Sequence, residues 1–239
     1  MKYVDLTLPS AAANLACDEA LLDLCEDGLE SGILRFWESS EHFVVIGYAN
    51  RAAVEVNLAA CSEDNVRVLR RVSGGGTVLQ GPGCLNYSLI LPIKEGEPLA
   101  SITGANRFIL ERQKSALNPL LGGAVKIQGQ TDLALDNLKF SGNAQRRKRH
   151  ALIFHGTFLL QFDFALIEKY LLMPSKQPEY RAGRQHGQFL VNLALDSKKV
   201  KQAIRNEWQA IEELSVAPTE KINSLTATKY STNEWNLRC

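Results

Sequence analysis

"RRVSGGGTVLQGPGCLNYSL", Arg70 to Leu89, holds three consecutive glycines between an arginine pair and a Gly-Pro-Gly turn. In any regular element each glycine costs roughly 0.5–1 kcal/mol relative to alanine, so a triplet needs a local reason. Either the backbone turns sharply there or something approaches it closely. The phosphate loops GxGxxG and GxxxxGK[ST] do not fit this spacing, which disfavours Rossmann and Walker nucleotide folds. Two readings remain. One is a tight turn between strands with solvated arginines. In the other, bare backbone N–H groups cradle an anion or a thin acyl chain, and Arg70 and Arg71 supply charge beside them. Directly after the turn, "LNYSLILPI" reads as a core strand ended by Pro92.

A second constellation lies at "TDLALDNLKFSGNAQRRKRHALIFHGTFLL", Thr131 to Leu160. It sets Lys139 in an alternating strand, then a Ser-Gly-Asn-Ala turn, a basic run, and a strand carrying His155-Gly156. A lysine in a half-buried strand is ordinarily an edge residue that snorkels to solvent. Beside a glycine loop and Arg71 it is also a candidate clamp for developing negative charge on a phosphate or carboxylate.

Outward from these two stretches the chain alternates. Residues 9–27 read as an amphipathic helix, "GILRFWE" and "HFVVIGY" as two strands about a turn, and "AVEVNLAACSED" as a short helix leading to a strand at "VRVLRRV". A helix is expected over 101–118. The region 124–162 is rich in strand signals, with a hairpin turn in "LDNLK". Helices follow near 164–172 and 197–214, the latter placing Val200, Ile204, Trp208 and Ile211 on one face. Strands with interspersed helices and a hairpin favour an α+β domain with mixed sheets flanked by helices over a strictly alternating parallel one.

Composition bounds what such a domain does. The 239 residues are 45% hydrophobic and 22% charged, enough for one sizeable core. A net charge of +1 gives no global pull toward nucleic acid or anionic membrane. The start lacks a signal-peptide pattern and no run of about 18 apolar residues occurs, so a cytoplasmic protein is expected. Cys17, Cys25, Cys61, Cys84 and Cys239 form no CxxC pair or metal-ligand spacing, and free thiols are expected. Cys17 and Cys25 read as helix packing residues. Cys84, in a turn, is either a small filler or an exposed thiol. The run "QRRKRH", Gln145 to His150, is either a solvated turn or a basic docking site, for example for a triphosphate.

The two stretches together resemble the lipoate-protein ligase and octanoyltransferase family, which shares its catalytic fold with biotin-protein ligases. The similarity extends from "NLACDEALL" through His155-Gly156, and the closing "KYSTNEWN" resembles the end of the family's catalytic domain. The resemblance implies one catalytic domain over 1–239 with no C-terminal accessory domain. It implies ATP, Mg²⁺ and lipoate or octanoate as reactants, with an acyl-adenylate passed to a lysine of a lipoyl carrier domain. That carrier is of the 2-oxoacid dehydrogenase E2 or glycine cleavage H type, and a separate accessory-domain subunit is a further partner. Neither nucleic acid nor membrane is implied.

Carried over residue by residue, Arg71, Ser73, Gly74, Gly75 and Gly76 match the loop that wraps the lipoyl group and the adenylate phosphate, and Thr77 extends it. Asn86 lines the same pocket. Asp132 matches an aspartate near the nucleotide and Mg²⁺, and Lys139 matches the catalytic lysine that contacts the adenylate's phosphate and carbonyl oxygens. Ser141, Gly142, Asn143, Ala144, His155 and Gly156 match the walls of the cleft. The chain also departs from the pattern. Gln80, Gly81 and Cys84 stand where ligases carry a His-Asp pair and an asparagine, while the Gly-Pro-Gly is shared with octanoyltransferases. Neither "LLMPSKQPEY" nor "IQGQTDLAL" carries the cysteine those transferases use, which leaves Cys84 for a thioester route.

Overall fold

The structure, a computed structural model, describes residues 1–174 and 176–238; the expectation for Cys239 lies outside them. Strand β1 (Lys2–Asp5) leads into helix α1 (Ala11–Glu26), capped by the Ser10 hydroxyl, which accepts from the Ala13 N–H at 3.2 Å. Then come β2 (Ile33–Trp37), β3 (Phe43–Ile46), the short helices α2 (Ala52–Glu55) and α3 (Leu58–Glu63), β4 (Arg67–Arg70), β5 (Val78–Gln80) and β6 (Cys84–Pro92). Helix α4 (Ile102–Leu117) crosses to β7 (Val125–Gln128), β8 (Asp132–Leu135), β9 (Leu138–Arg147) and β10 (Ala151–Leu159). Helices α5 (Phe164–Tyr170), α6 (His186–Phe189) and α7 (Ser197–Glu207), strand β11 (Glu212–Glu213), and helices α8 (Thr219–Leu225) and α9 (Asn233–Asn236) complete the described chain.

Eight strands form one mixed sheet in the order β11-β1-β2-β6-β10-β9-β8-β7, and three form a small one in the order β4-β3-β5. The architecture is α+β, as the sequence suggests. Strand β6 sits inside the large sheet, between β2 and β10, and only its last residue, Pro92, escapes full burial. On one face of that sheet Phe36, Tyr87, Phe140, Phe154 and Phe158 pack with α4 and α7. The other face carries α1, whose Leu21 and Leu22 pack with Trp37 and Phe43. Each such side chain contributes about 1.5–3 kcal/mol by leaving water. Cys17 and Cys25 are buried on α1, the packing role expected of them. No helix among the described residues is long and apolar enough to cross a membrane.

Four local expectations change. Strands β2 and β3 are not a hairpin; β2 pairs with β1 and β6, whereas β3 belongs to the small sheet. The helix expected across "AVEVNLAACSED" breaks into α2 and α3 around Val56 and Asn57. Ser141–Ala144 is not a turn but the middle of β9, paired with β10 from Phe158↔Ser141 to His155↔Ala144. Helix α7 stops at Glu207, because Gln209 takes a left-handed φ of 50°, and Ile211 is thrown out to 82% exposure. The "LDNLK" hairpin does form. Asp136 at its corner has φ 51°, the left-handed backbone such turns use.

Candidate functional site

A cleft of about 1230 Å³ opens between the glycine loop and the β9–β10 face of the large sheet, with residues from 171–174 and 176–190 along its third side. Its first wall is backbone. Tyr48 N–H donates to the Ser73 carbonyl at 2.8 Å, and Asn50 Nδ2 to the Gly75 carbonyl at 3.1 Å, which ties the loop to the segment after β3. Gly75 takes φ +86°, and a Cβ there would lie 3.0 Å from Arg71 Nη2. The N–H groups of Gly74, Gly75 and Gly76 donate to no described residue, so they remain available to an anion.

The two arginines, alike in sequence, do different work. Arg71 turns forward; its Nη2 donates to the carbonyls of Gly74 (2.6 Å) and Gly76 (2.7 Å), and its Nε to Ser73 Oγ (3.0 Å). Burial pushes its pKa down to about 10, opposed by the nearby Glu55 carboxylate. Arg70 turns away. Its guanidinium donates to the carbonyls of Gly47, Tyr48 and Asn50 on one side and of Trp235 and Arg238 on the other. It straps the end of the described chain to the segment behind the glycine loop, and so it is not the second charge beside the glycines.

The second wall is made of side chains. A register shift between Leu133 and Ala134 leaves Phe140 as the extra residue of a bulge in β9, and Phe140 goes to the core. Bulges re-aim side chains. Here Lys139 and Gly142 come to the same side, and a Cβ on Gly142 would lie 2.7 Å from Lys139 Nζ. Lys139 Nζ pairs with Asp132 Oδ1 at 2.8 Å, while Tyr180 OH donates to Asp132 Oδ2 at 2.8 Å. Asp132, expected near Mg²⁺, therefore has both oxygens engaged. No group of three or more His, Cys, Asp or Glu side chains among the described residues could hold a metal ion, so the residues present do not fit a resident one.

Behind Lys139, Asn143 Oδ1 accepts from Tyr87 OH at 2.6 Å and its Nδ2 donates to the Thr131 carbonyl at 2.7 Å. A Cβ on Gly156 would sit 1.7 Å from that Oδ1, so only glycine leaves Asn143 its place. At the floor, His155 joins the walls: its Nε2 lies 2.6 Å from Ser73 Oγ and its Nδ1 3.1 Å from Asp18 Oδ2. Asp18 is fully buried. Burial alone would raise its pKa, but Arg35 Nη1 at 2.6 Å and hydrogen bonds from His155 and Ser88 outweigh it and the pKa is lowered.

Of the residues picked from sequence, Arg71, Gly74, Gly75, Gly76, Thr77, Asn86, Asp132, Lys139, Gly142, Asn143, Ala144, His155 and Gly156 all line this one cleft. Ser73 and Ser141 lie just behind its surface, both buried. Cys84 does not reach it: the first residue of β6 is wholly buried among Val44, Ile46 and Phe162, and burial pushes its thiol pKa far up. "QRRKRH" is no solvated loop throughout. Gln145 to Arg147 end β9, Arg146 rests over the Tyr48 ring at 5.5 Å, and Lys148 pairs with Asp23 at 2.6 Å. Arg181 and His186 both line the cleft; Arg181 Nε donates to the Arg184 carbonyl, and Arg184 Nη2 donates to the carbonyls of Tyr180 and Asn137.

Sequence reasoning missed Asp18, Glu55, Tyr87 and Tyr180. For Asp18 a signal existed, since Asn14 and Asp18 fall on the same α1 stripe as Leu21 and Cys25, a polar pair on a buried face. Glu55, which accepts from Asn50 Nδ2 at 2.6 Å and from Thr77 Oγ1, and Tyr180 reach the site only through tertiary packing.

The family model for the lipoyl protein ligase A/B catalytic domain matches residues 10–209. A probable lipoate-protein ligase A of Mycoplasma pneumoniae is 32% identical over 173 residues, 72% of this chain but 49% of that protein, so the chain spans about half of that relative. The octanoyltransferase LipM of Bacillus subtilis is 25% identical across 99% of this chain and 98% of its own length. Among solved structures, the bipartite lipoate protein ligase of Thermoplasma acidophilum superposes with a TM-score of 0.85 at 23% identity, covering 99% of this chain and 95% of its own. A lipoate-protein ligase A bound with ATP gives 0.81 at 24% identity, covering 99% and 98%. At such identities these structures speak for the fold.

Proposed function

The chain belongs to the lipoyl protein ligase A/B catalytic domain family, and within it we propose that this protein is an ATP-dependent lipoate-protein ligase. The carboxylate of the acyl substrate attacks the α-phosphate of ATP, pyrophosphate leaves, and the acyl-adenylate is passed to the lysine amine of a lipoyl carrier domain. Mg²⁺ enters as part of the nucleotide substrate. Lys139 has three N–H donors, so it can keep Asp132 and still meet phosphate and carbonyl oxygens. Gly74, Gly75 and Gly76 line the same cleft, and their N–H groups, which donate to no described residue, add fixed partial charge where negative charge develops. Arg71 holds that loop in shape, and positioning supplies much of the remainder. A cytoplasmic setting and an accessory domain supplied by a separate subunit belong to the same reading, the latter supported by the likeness to a bipartite archaeal ligase.

The observation that carries the ligase over the transferase is the placement of the thiols. Cys17, Cys25, Cys61 and Cys84 are all buried and none lines the cleft, so no described cysteine is placed to form an acyl-thioester. The second reading, octanoyl transfer between carriers, has the full-length match to an octanoyltransferase in its favour. Incubation with lipoate, ATP, Mg²⁺ and an apo-lipoyl domain separates them. We expect lipoate-dependent pyrophosphate release and a carrier heavier by one lipoyl group, with Cys84→Ser matching wild type. Acyl transfer without ATP that Cys84→Ser abolishes would overturn the ligase.

A further inference from the structure

Three strands of the large sheet carry a polar crossing that packing alone does not call for. Asn143 of β9 lies opposite Gly156 of β10, and Gly156 opposite Tyr87 of β6. Because the middle position has no side chain, Tyr87 reaches across it and its OH donates to Asn143 Oδ1 at 2.6 Å; a Cβ on Gly156 would collide with that oxygen. Tyr87 is wholly buried in the core, its ring stacked on Phe158 with centroids 4.9 Å apart. Burial pushes the phenol pKa far up, opposed by Gln113 of α4, so the OH stays a donor. A glycine inside a strand weakens that strand. The sheet thus gives up stability in β10 to keep this bond.

The far end of the crossing leaves the core. Asn143 Nδ2 donates to the Thr131 carbonyl at 2.7 Å, and Thr131 Oγ1 donates back to the Asn143 carbonyl at 2.6 Å. Thr131 closes the turn over 129–131 between β7 and β8, and all three residues of that turn line the cleft. Gly129 takes φ +55°, and a Cβ there would lie 3.3 Å from Pro178 and 3.5 Å from Tyr180, so the third side of the cleft rests against the same turn. Asp132 follows directly, with Lys139 Nζ on one oxygen and Tyr180 OH on the other. The place of the turn therefore sets both where Asp132 begins β8 and where Tyr180 reaches it.

We infer that Tyr87 and Asn143 are positioning residues: they strap down the turn over 129–131, and through it the Asp132 carboxylate that aims the Lys139 ammonium. They act through Lys139 rather than on a substrate. Their effect on rate rests on the ligase role proposed for Lys139, whereas their hold on Asp132 does not. In a buried chain of hydrogen bonds each link stiffens the next, so a cut at one end is felt at the other. A pair that only filled the core would cost stability when cut and leave Lys139 where it is.

Tyr87→Phe removes one oxygen and keeps the ring on Phe158. Pyrophosphate release from lipoate and ATP should then lose about tenfold in kcat, with KM for lipoate and ATP held within about twofold, because a misplaced stabiliser costs rate before it costs binding. In a Lys139→Ala background the same change should cost no further rate, yet lower the melting temperature as it does in wild type. A second readout needs no turnover. While Asp132 holds it, the Lys139 ammonium is shielded from acylation by an N-hydroxysuccinimide ester; in Tyr87→Phe its labelling, followed by peptide mass, should speed up toward the rate seen in Asp132→Asn. Labelling at the wild-type rate overturns the inference, as does an equal loss of rate in both backgrounds. Faster labelling in a protein that releases no pyrophosphate sinks the ligase and leaves the strap standing.

Discussion

The two walls of the cleft are built in opposite ways. The glycine-loop wall presents backbone, held from behind by the side chains of Arg71 and Asn50 and the backbone N–H of Tyr48, which fix its carbonyls. The β8–β10 wall presents side chains, and the backbone ladder holds them: Asp132, Lys139 and His155 project from paired strands. A change on the loop wall therefore alters shape, whereas a change on the strand wall alters charge or its position. Binding and chemistry should respond differently to each.

Lys139→Ala should break the strand wall most severely. Loss of one buried electrostatic stabiliser costs about 3–4 kcal/mol of barrier, so carrier lipoylation should fall by about 10²–10³-fold while the melting temperature holds. Lys139→Arg should also fail, because a guanidinium is wider than the point charge that fits over Gly142. Activity equal to wild type in both variants would make Lys139 a surface strand residue. Next in size is Gly142→Ala. Its Cβ would meet the far end of the lysine, 2.7 Å from Nζ, so the lysine swings and the strand stays. A misplacement of about 1 Å costs on the order of 100-fold, and kcat should carry the loss.

The loop wall should answer with binding. Gly75→Ala forces a side chain onto φ +86°, at about 1–2 kcal/mol, and against Arg71. KM for the acyl acid should rise about tenfold with kcat changed much less, and a kcat loss matching that of Gly142→Ala would erase the distinction between the walls.

The smallest expected effect comes from the third side. Burial, with Arg181 close by, lowers the pKa of His186, opposed by the Leu172 backbone and Glu168. The unfolded chain then takes up a proton at a higher pH than the fold does. Stability is therefore unaffected above about pH 6.5 and drains away as the pH falls from there toward the lowered native value. Between pH 7.5 and 5.5 the wild type should lose up to about 4 °C more in melting temperature than His186→Gln. Identical slopes would place the proton uptake elsewhere.

Local chemistry was readable where one residue type decides it. Pro92 ends β6, Ser101 starts α4, and the Asp136-Asn137 corner turns β8 into β9, each through its own backbone preference. The sequence misleads where tertiary need overrides such a preference. Ser141-Gly142-Asn143 carries turn residues, yet it runs as strand because Gly142 clears Lys139 and Asn143 reaches Tyr87. Arg70 and Arg71 cannot be told apart by type. Alternation within β4 and its end aims one toward residues 235–238 and the other toward the glycines, and those partners lie up to 168 residues away.

That separation matters for how the molecule assembles. Lys2 pairs with Glu212 across the outer strands of the large sheet, and Arg70 waits for the carbonyls of Trp235 and Arg238. As the chain leaves the ribosome, these carbonyls follow more than 160 residues behind Arg70, so the support behind the glycine loop is missing until they have emerged. Contacts so distant in sequence slow folding, and until they close, the first strands present open edges. The glycine loop that lines the cleft is thus among the last parts of the described chain to become itself.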